Sequence, residues 1–145
     1  MKYYFAYGMN TNLEQMAMRC PAAECIGQVV LSKHRFVFRL HADIEPCDDC
    51  EVAGVLWRIT PDCERSLDAL EGYPFYYNKK EVVVETFDDE TINGMTHFVA
   101  MTYYMSDQTT ESLPSKSYYD CLVQGYGSNN IPIYQINQAI EHINE

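Results

Sequence analysis

Lys2-Tyr3-Tyr4-Phe5-Ala6-Tyr7-Gly8-Met9-Asn10 opens the chain with a short aromatic run that stops at a glycine. Such a run reads as a strand feeding straight into a tight loop. Asn12 followed by Gln15 has the form of a capping box, as do Thr11 and Glu14, and Leu13, Met16 and Ala17 then recur at helical spacing. A short helix is therefore expected to open at Leu13 and to end at Pro21.

From Ile26 to Leu40 the β-branched and aromatic content predicts strand, with Val29, Leu31, Phe36 and Phe38 buried and breaks at Gly27 and Lys33-His34. Asp43 to Glu51 reads as a polar loop. Ala53, Val55, Trp57 and Ile59 then alternate with Val52, Gly54, Leu56 and Arg58, a strand largely covered on both faces. Thr60-Pro61-Asp62 is a helix start, because Thr caps, Pro fits the first helical position and Asp suits the positive dipole end. Cys63, Leu67 and Leu70 share one face of that helix, and Gly72 followed by Pro74 ends it, placing Glu71 at its C-terminus.

Tyr76 to Phe87 and Met95 to Met105 predict two more strands, joined through Asp88-Asp89-Glu90 and Asn93-Gly94 as a hairpin. Ser115 can cap a helix carrying Tyr118, Tyr119, Leu122 and Val123, and a last helix after Pro132 carries Ile133, Ile136, Ala139, Ile140 and Ile143. The expected architecture is α+β: a small mixed β-barrel of about five to six strands with three to four short helices. No P-loop or G-x-G-x-x-G is present.

The 145 residues, 47% of them apolar, suit one domain over 1–145. A formal charge of -11 would repel a phosphate backbone, so nucleic acid is not an expected partner. No run reaches the ~18 apolar residues of a membrane span, and the N-terminus lacks the layout of a secretion signal, so a cytoplasmic protein without membrane association is expected. Cys47-Asp48-Asp49-Cys50 has the spacing of half a zinc site or a redox pair, but no second matched pair completes a zinc site. The cysteines are read instead as small apolar fillers, as at Cys63 and Cys121. Arg35, Arg39, Arg58 and His97, like His34, His41 and His142, are read as outward-facing polar side chains.

Three segments carry a resemblance: Tyr4-Phe5-Ala6-Tyr7-Gly8-Met9-Asn10, Leu67-Asp68-Ala69-Leu70-Glu71-Gly72-Tyr73 and Pro114-Ser115-Lys116-Ser117-Tyr118. They resemble, in order, the F-x-Y-G-S-N signature, the L-D-x-x-E-G segment and the P-S-x-x-Y segment of γ-glutamylcyclotransferases. Gly54-Val55-Leu56-Trp57-Arg58-Ile59 is similar to the family's G-x-V-W strand, and Asn130-Ile131-Pro132 to its G-L-P turn. One departure is plain: Met9 stands where the family has serine.

The resemblance implies a cyclotransferase that cleaves γ-glutamyl amino acids or γ-glutamyl amines into 5-oxoproline and a free amino acid or amine. It implies no metal and no cofactor, a small-molecule γ-glutamyl substrate, and a monomer or homodimer. Glu71 would be the catalytic proton carrier. Tyr4, Tyr7, Gly8, Met9, Asn10 and Tyr118 would bind the substrate. On spacing alone a last-turn glutamate is more often solvated, and the tyrosines could be core; the resemblance is what singles them out. The competing readings are a non-catalytic binding domain of the same fold, for which Met9 is the hint, and an enzyme that trims a γ-glutamyl protecting group from a larger amine. Ala42 to Glu51 and Asp107 to Pro114 are the segments expected to meet the leaving group.

Overall fold

In the computed structural model, which describes residues 1–88 and 90–144, five strands close into a barrel in the order β1-β3-β2-β4-β5. The elements run β1 (Lys2–Ala6), a single 3-10 turn (Met9–Thr11), α1 (Leu13–Arg19), β2 (Glu24–Arg39), β3 (His41–Ile59), α2 (Pro61–Glu71), β4 (Tyr77–Thr86), β5 (His97–Met105), α3 (Lys116–Ser128) and α4 (Tyr134–Ile143). Asp89 of the expected β4–β5 connection lies outside the described residues. Every ladder is antiparallel except that of β1 with β5, which pairs Tyr4 with Met101 in parallel and so closes the barrel.

The aromatic opening run becomes the strand on which the barrel turns. Tyr4, Phe5, Ala6 and Tyr7 are all buried, and Phe5 belongs to the same core cluster as Phe38, Val55 and Leu56. Val29, Leu31, Phe36 and Phe38 are buried as their pattern predicts. The expected breaks at Gly27 and Lys33 are register shifts in the β2–β3 ladder: at Gly27 β2 carries one extra residue, Ile26, which bends the strand without ending it, and at Lys33 four residues of β3, 47–50, stand opposite one of β2.

The segment expected as a polar loop, Asp43 to Glu51, belongs to β3 instead. β2 turns directly into β3 at Leu40, and the ladder pairs Phe36 with Ile44 and His34 with Pro46 before resuming at Ser32 with Glu51. Ala42, Asp43 and Ile44 are buried, and this tertiary pairing overrides the weak strand preference of Asp, Glu and Pro. Between the two stretches Cys47-Asp48-Asp49-Cys50 bulges out opposite Lys33, and Cys47 and Cys50 form a disulfide rather than serving as fillers.

Helices begin where their caps lie. Asn12 accepts from the amide of Gln15, Thr60 from that of Cys63 and Ser115 from that of Tyr118. α2 ends on Gly72 with φ 66°, a left-handed conformation glycine adopts without Cβ strain. Leu70, expected with Cys63 and Leu67 on the buried face, is instead 54% exposed. Leu13 is likewise exposed at 41%, leaving Met16 as the buried anchor of α1. In α4, Ile136 and Ala139 pack inward, while Ile133, expected within this helix, is its exposed N-cap residue.

Candidate functional site

Two anchors hold the end of α2 against the barrel: Tyr103 Oη of β5 donates to Asp68 Oδ1 at 2.7 Å, and Lys79 Nζ of β4 donates to Asp68 Oδ2 at 3.0 Å. The next turn therefore carries Glu71 across the barrel mouth towards the loop that follows β1. That loop is itself locked. Thr11 Oγ1 donates to Gly8 O at 2.7 Å, Trp57 Nε1 of β3 donates to Asn10 O at 3.0 Å, and Asn129 Nδ2 donates to Thr11 O at 2.7 Å.

Between these elements lies a cavity of about 180 Å³ lined by Tyr4, Tyr7, Gly8, Met9, Asn10, Glu71 and Tyr118. All seven residues singled out in the sequence thus face one space, although 114 positions separate Tyr4 from Tyr118 in the chain. A Cβ on Gly8 would come within 3.0 Å of Ala42 Cβ and 3.3 Å of Tyr118 Oη, so a bare backbone there lets β3 and α3 close over the turn.

Asn10 Nδ2 donates to Glu71 Oε1 at 3.2 Å and to Tyr4 Oη at 3.0 Å. Burial pushes the Glu71 carboxyl up to about 7, against the opposing pull of the Arg19 charge and the Asn10 hydrogen bond. A carboxyl poised there exchanges a proton in either direction near neutral pH. Burial also drives the Tyr4 and Tyr118 phenols well up, so both remain neutral O–H groups. Their roles differ from those of their neighbours. Tyr7 Oη donates to Tyr103 O at 2.6 Å and Tyr77 Oη to Ala42 O at 2.6 Å, whereas Tyr118 Oη accepts from Ala42 N and Tyr4 Oη accepts from Asn10. The last two phenols keep their protons for a ligand. At the 3-10 turn the amides of Met9 and Asn10 donate to no protein acceptor among the described residues.

The sequence reading missed several residues of this wall. Arg19, at the end of α1, donates from Nη1 to Asn10 Oδ1 at 2.6 Å and from Nη2 to Met9 Sδ at 3.1 Å. His41, expected on the surface, is only partly exposed, lines the cavity and meets Tyr76 Oη through Nδ1 at 2.7 Å. Its burial lowers its proton affinity. No signal distinguished Arg19 from any other basic last-turn residue. His41 lay at the edge of a stretch misread as loop.

Arg39 also departs from the outward-facing reading: it is 8% exposed and pairs with Asp43 at 2.7 Å and Glu45 at 2.5 Å. Of the segments expected near the leaving group, 42–51 contributes Ala42 to the cavity wall. The 107–114 segment supplies Gln108, whose Nε2 donates to Asp43 Oδ2 at 3.0 Å. Arg35 pairs with Glu45 and Glu111, away from the cavity, while Arg58 and His97 are exposed.

The family model described as gamma-glutamyl cyclotransferase, AIG2-like, matches residues 4–120. A solved gamma-glutamyl cyclotransferase superposes with a TM-score of 0.80 at 25% identity, over 94% of this chain and 85% of that one. A human protein solved as uncharacterized gives a TM-score of 0.80 at 27% identity, again over 94% and 85%. YkqA from Bacillus subtilis shares the fold with a TM-score of 0.77 at 22% identity, over 99% of this chain and 54% of that one. No curated protein matches the chain.

Proposed function

The chain belongs to the gamma-glutamyl cyclotransferase, AIG2-like family, and from that footing we propose that it cleaves γ-glutamyl amides by cyclising the glutamyl group into 5-oxoproline. The observation that carries this reading is the 3.2 Å contact between Glu71 and Asn10, which sets a carboxyl of near-neutral proton affinity against the turn after β1.

The substrate supplies its own nucleophile, so geometry and proton transfer are what the protein must add. Glu71 takes a proton from the α-ammonium, and the freed amine attacks the γ-carbonyl carbon. The new C–N bond closes a five-membered ring and places negative charge on the carbonyl oxygen. The free amides of Met9 and Asn10 and the O–H of Tyr118 are the donors available to that oxygen and to the α-carboxylate. Glu71 then protonates the leaving nitrogen as its bond to carbon breaks. A second proton follows the same route from the lactam nitrogen, giving neutral 5-oxoproline nitrogen and a released ammonium. Tyr7, tied to Tyr103, serves as wall rather than donor. Met9 in place of the family's serine leaves the backbone donors unchanged.

Incubating the purified protein with a panel of γ-glutamyl dipeptides and γ-glutamyl amines, without added metal, tests the reading. 5-Oxoproline is expected, and Glu71→Gln is expected to abolish it. Free glutamate in its place would mean hydrolysis and overturn the proposal. Ligand binding without turnover in any substrate would instead indicate a binding domain.

A further inference from the structure

Asn10 has an amide with one accepting and one donating end, and both ends are engaged. Its Oδ1 accepts from Arg19 Nη1 at 2.6 Å, and its Nδ2 faces Glu71 Oε1 and Tyr4 Oη. Arginine carries only donors, so it is satisfied by the oxygen end alone. Turning the amide over would set NH2 against guanidinium and oxygen against carboxylate, two repulsive contacts in a largely buried site. We propose that Arg19 is a positioning residue that locks the Asn10 side chain with its NH2 towards Glu71, so that Glu71 holds its transferable proton on Oε2.

The consequence lies in how the carboxyl shuttles its proton, and here the inference rests on the cyclisation proposed above. Oε1 receives the Asn10 hydrogen bond whether Glu71 is ionised or protonated, and Oε2 has no hydrogen-bond partner among the described residues. Protonation therefore falls on Oε2. Without Arg19 the amide is free to turn, and protonated Glu71 would donate to Asn10 Oδ1, tying up the proton meant for the leaving nitrogen. In this scheme Arg19 acts through Asn10 and Met9 Sδ, to which Nη1 and Nη2 each donate one hydrogen. Trp57, by holding the Asn10 carbonyl, keeps the backbone still while the side chain is locked.

The test is a double-mutant cycle of Arg19→Met and Asn10→Ala, with steady-state kinetics across pH and NMR of the Asn10 side-chain amide. Arg19→Met is expected to lower kcat about a hundredfold, as misplacement of a proton-transfer group does, with KM almost unchanged. The pH midpoint assigned to Glu71 should move up, since a nearby positive charge is lost. In the Asn10→Ala background the same change should cost less than about threefold, because Arg19 then has no amide to lock and the two changes are coupled. Full additivity, or a loss confined to KM, would mean that Arg19 binds substrate directly and would overturn the inference. In the wild type the Asn10 NH2 resonances should shift modestly as Glu71 ionises, because the amide stays in place, and in Arg19→Met they should shift further, because the freed amide turns its oxygen to the protonated carboxyl; equal shifts in the two proteins would overturn the lock. NH2 resonances indifferent to pH in the wild type would also overturn it. If no γ-glutamyl compound yields 5-oxoproline, the cyclisation reading fails while the NMR result still decides the lock.

Discussion

Tyr118 Oη accepts the amide hydrogen of Ala42 at 3.0 Å, joining α3 to the start of β3 directly above Gly8. The bond consumes a lone pair and leaves the phenol proton free. Tyr118→Phe removes that donor and strands the Ala42 amide. Stability should drop by about 1–2 kcal/mol, the penalty of an unpaired buried donor. The kcat of the proposed cyclisation should fall about a hundredfold, a loss typical of a missing oxyanion donor. Chemical denaturation and kinetics on the same preparation check both.

Glu71→Gln should raise stability while removing turnover. The carboxyl lies at about 7 in the folded chain against 4.5 for an unperturbed glutamate. As pH rises through 4.5 the unfolded chain releases its proton first, so wild-type stability falls between roughly pH 4.5 and 7 and stays lower above. Glutamine has no proton to release. Allowing for the partial exposure of Glu71, the variant should be more stable by about 2 kcal/mol at pH 8 and nearly equal at pH 4. Urea unfolding at the two pH values measures this, and equal gains at both would contradict it.

Asp43 is fully buried beneath the cavity and paired with Arg39. Arg39→Met leaves the buried Asp43 carboxylate uncompensated and should destabilise by about 3–5 kcal/mol, whereas Asp43→Leu leaves Arg39 still paired with Glu45 and should cost less. The double variant should lose less than the sum of the two. Thermal denaturation of the three variants tests the coupling, which also reports on how firmly Gln108 pins the 107–114 segment.

Met9→Ser restores the residue seen in the resembling motif. It deletes the thioether that receives Arg19 Nη2, but leaves the backbone donors and the Arg19–Asn10 bond in place. Stability should change by less than about 1 kcal/mol, as for a partly exposed substitution. The ranking of leaving groups should shift while kcat on the best substrate stays within about tenfold, one extra or missing group in a pocket being worth that much. Leaving-group profiling of both proteins decides it.

Local chemistry announced much of this protein. The caps at Asn12, Thr60 and Ser115, the glycine stop after Glu71, the aromatic opening strand and the break at Gly27 all act through near neighbours in the chain, so residue order alone places them. The family motifs added which of those local features belong to one cavity.

What residue order leaves open is everything settled between distant segments. Asp43 to Glu51 is strand only because β2 lies opposite to pair with it, and Arg39 is buried only because Asp43 and Glu45 meet it there. Arg19 and His41 join the cavity through the packing of α1 and the β2–β3 turn, neither of which marks its residue locally. The raised proton affinity of Glu71 is likewise a property of the closed barrel, because desolvation depends on which surfaces come together around a side chain and no single segment carries that information.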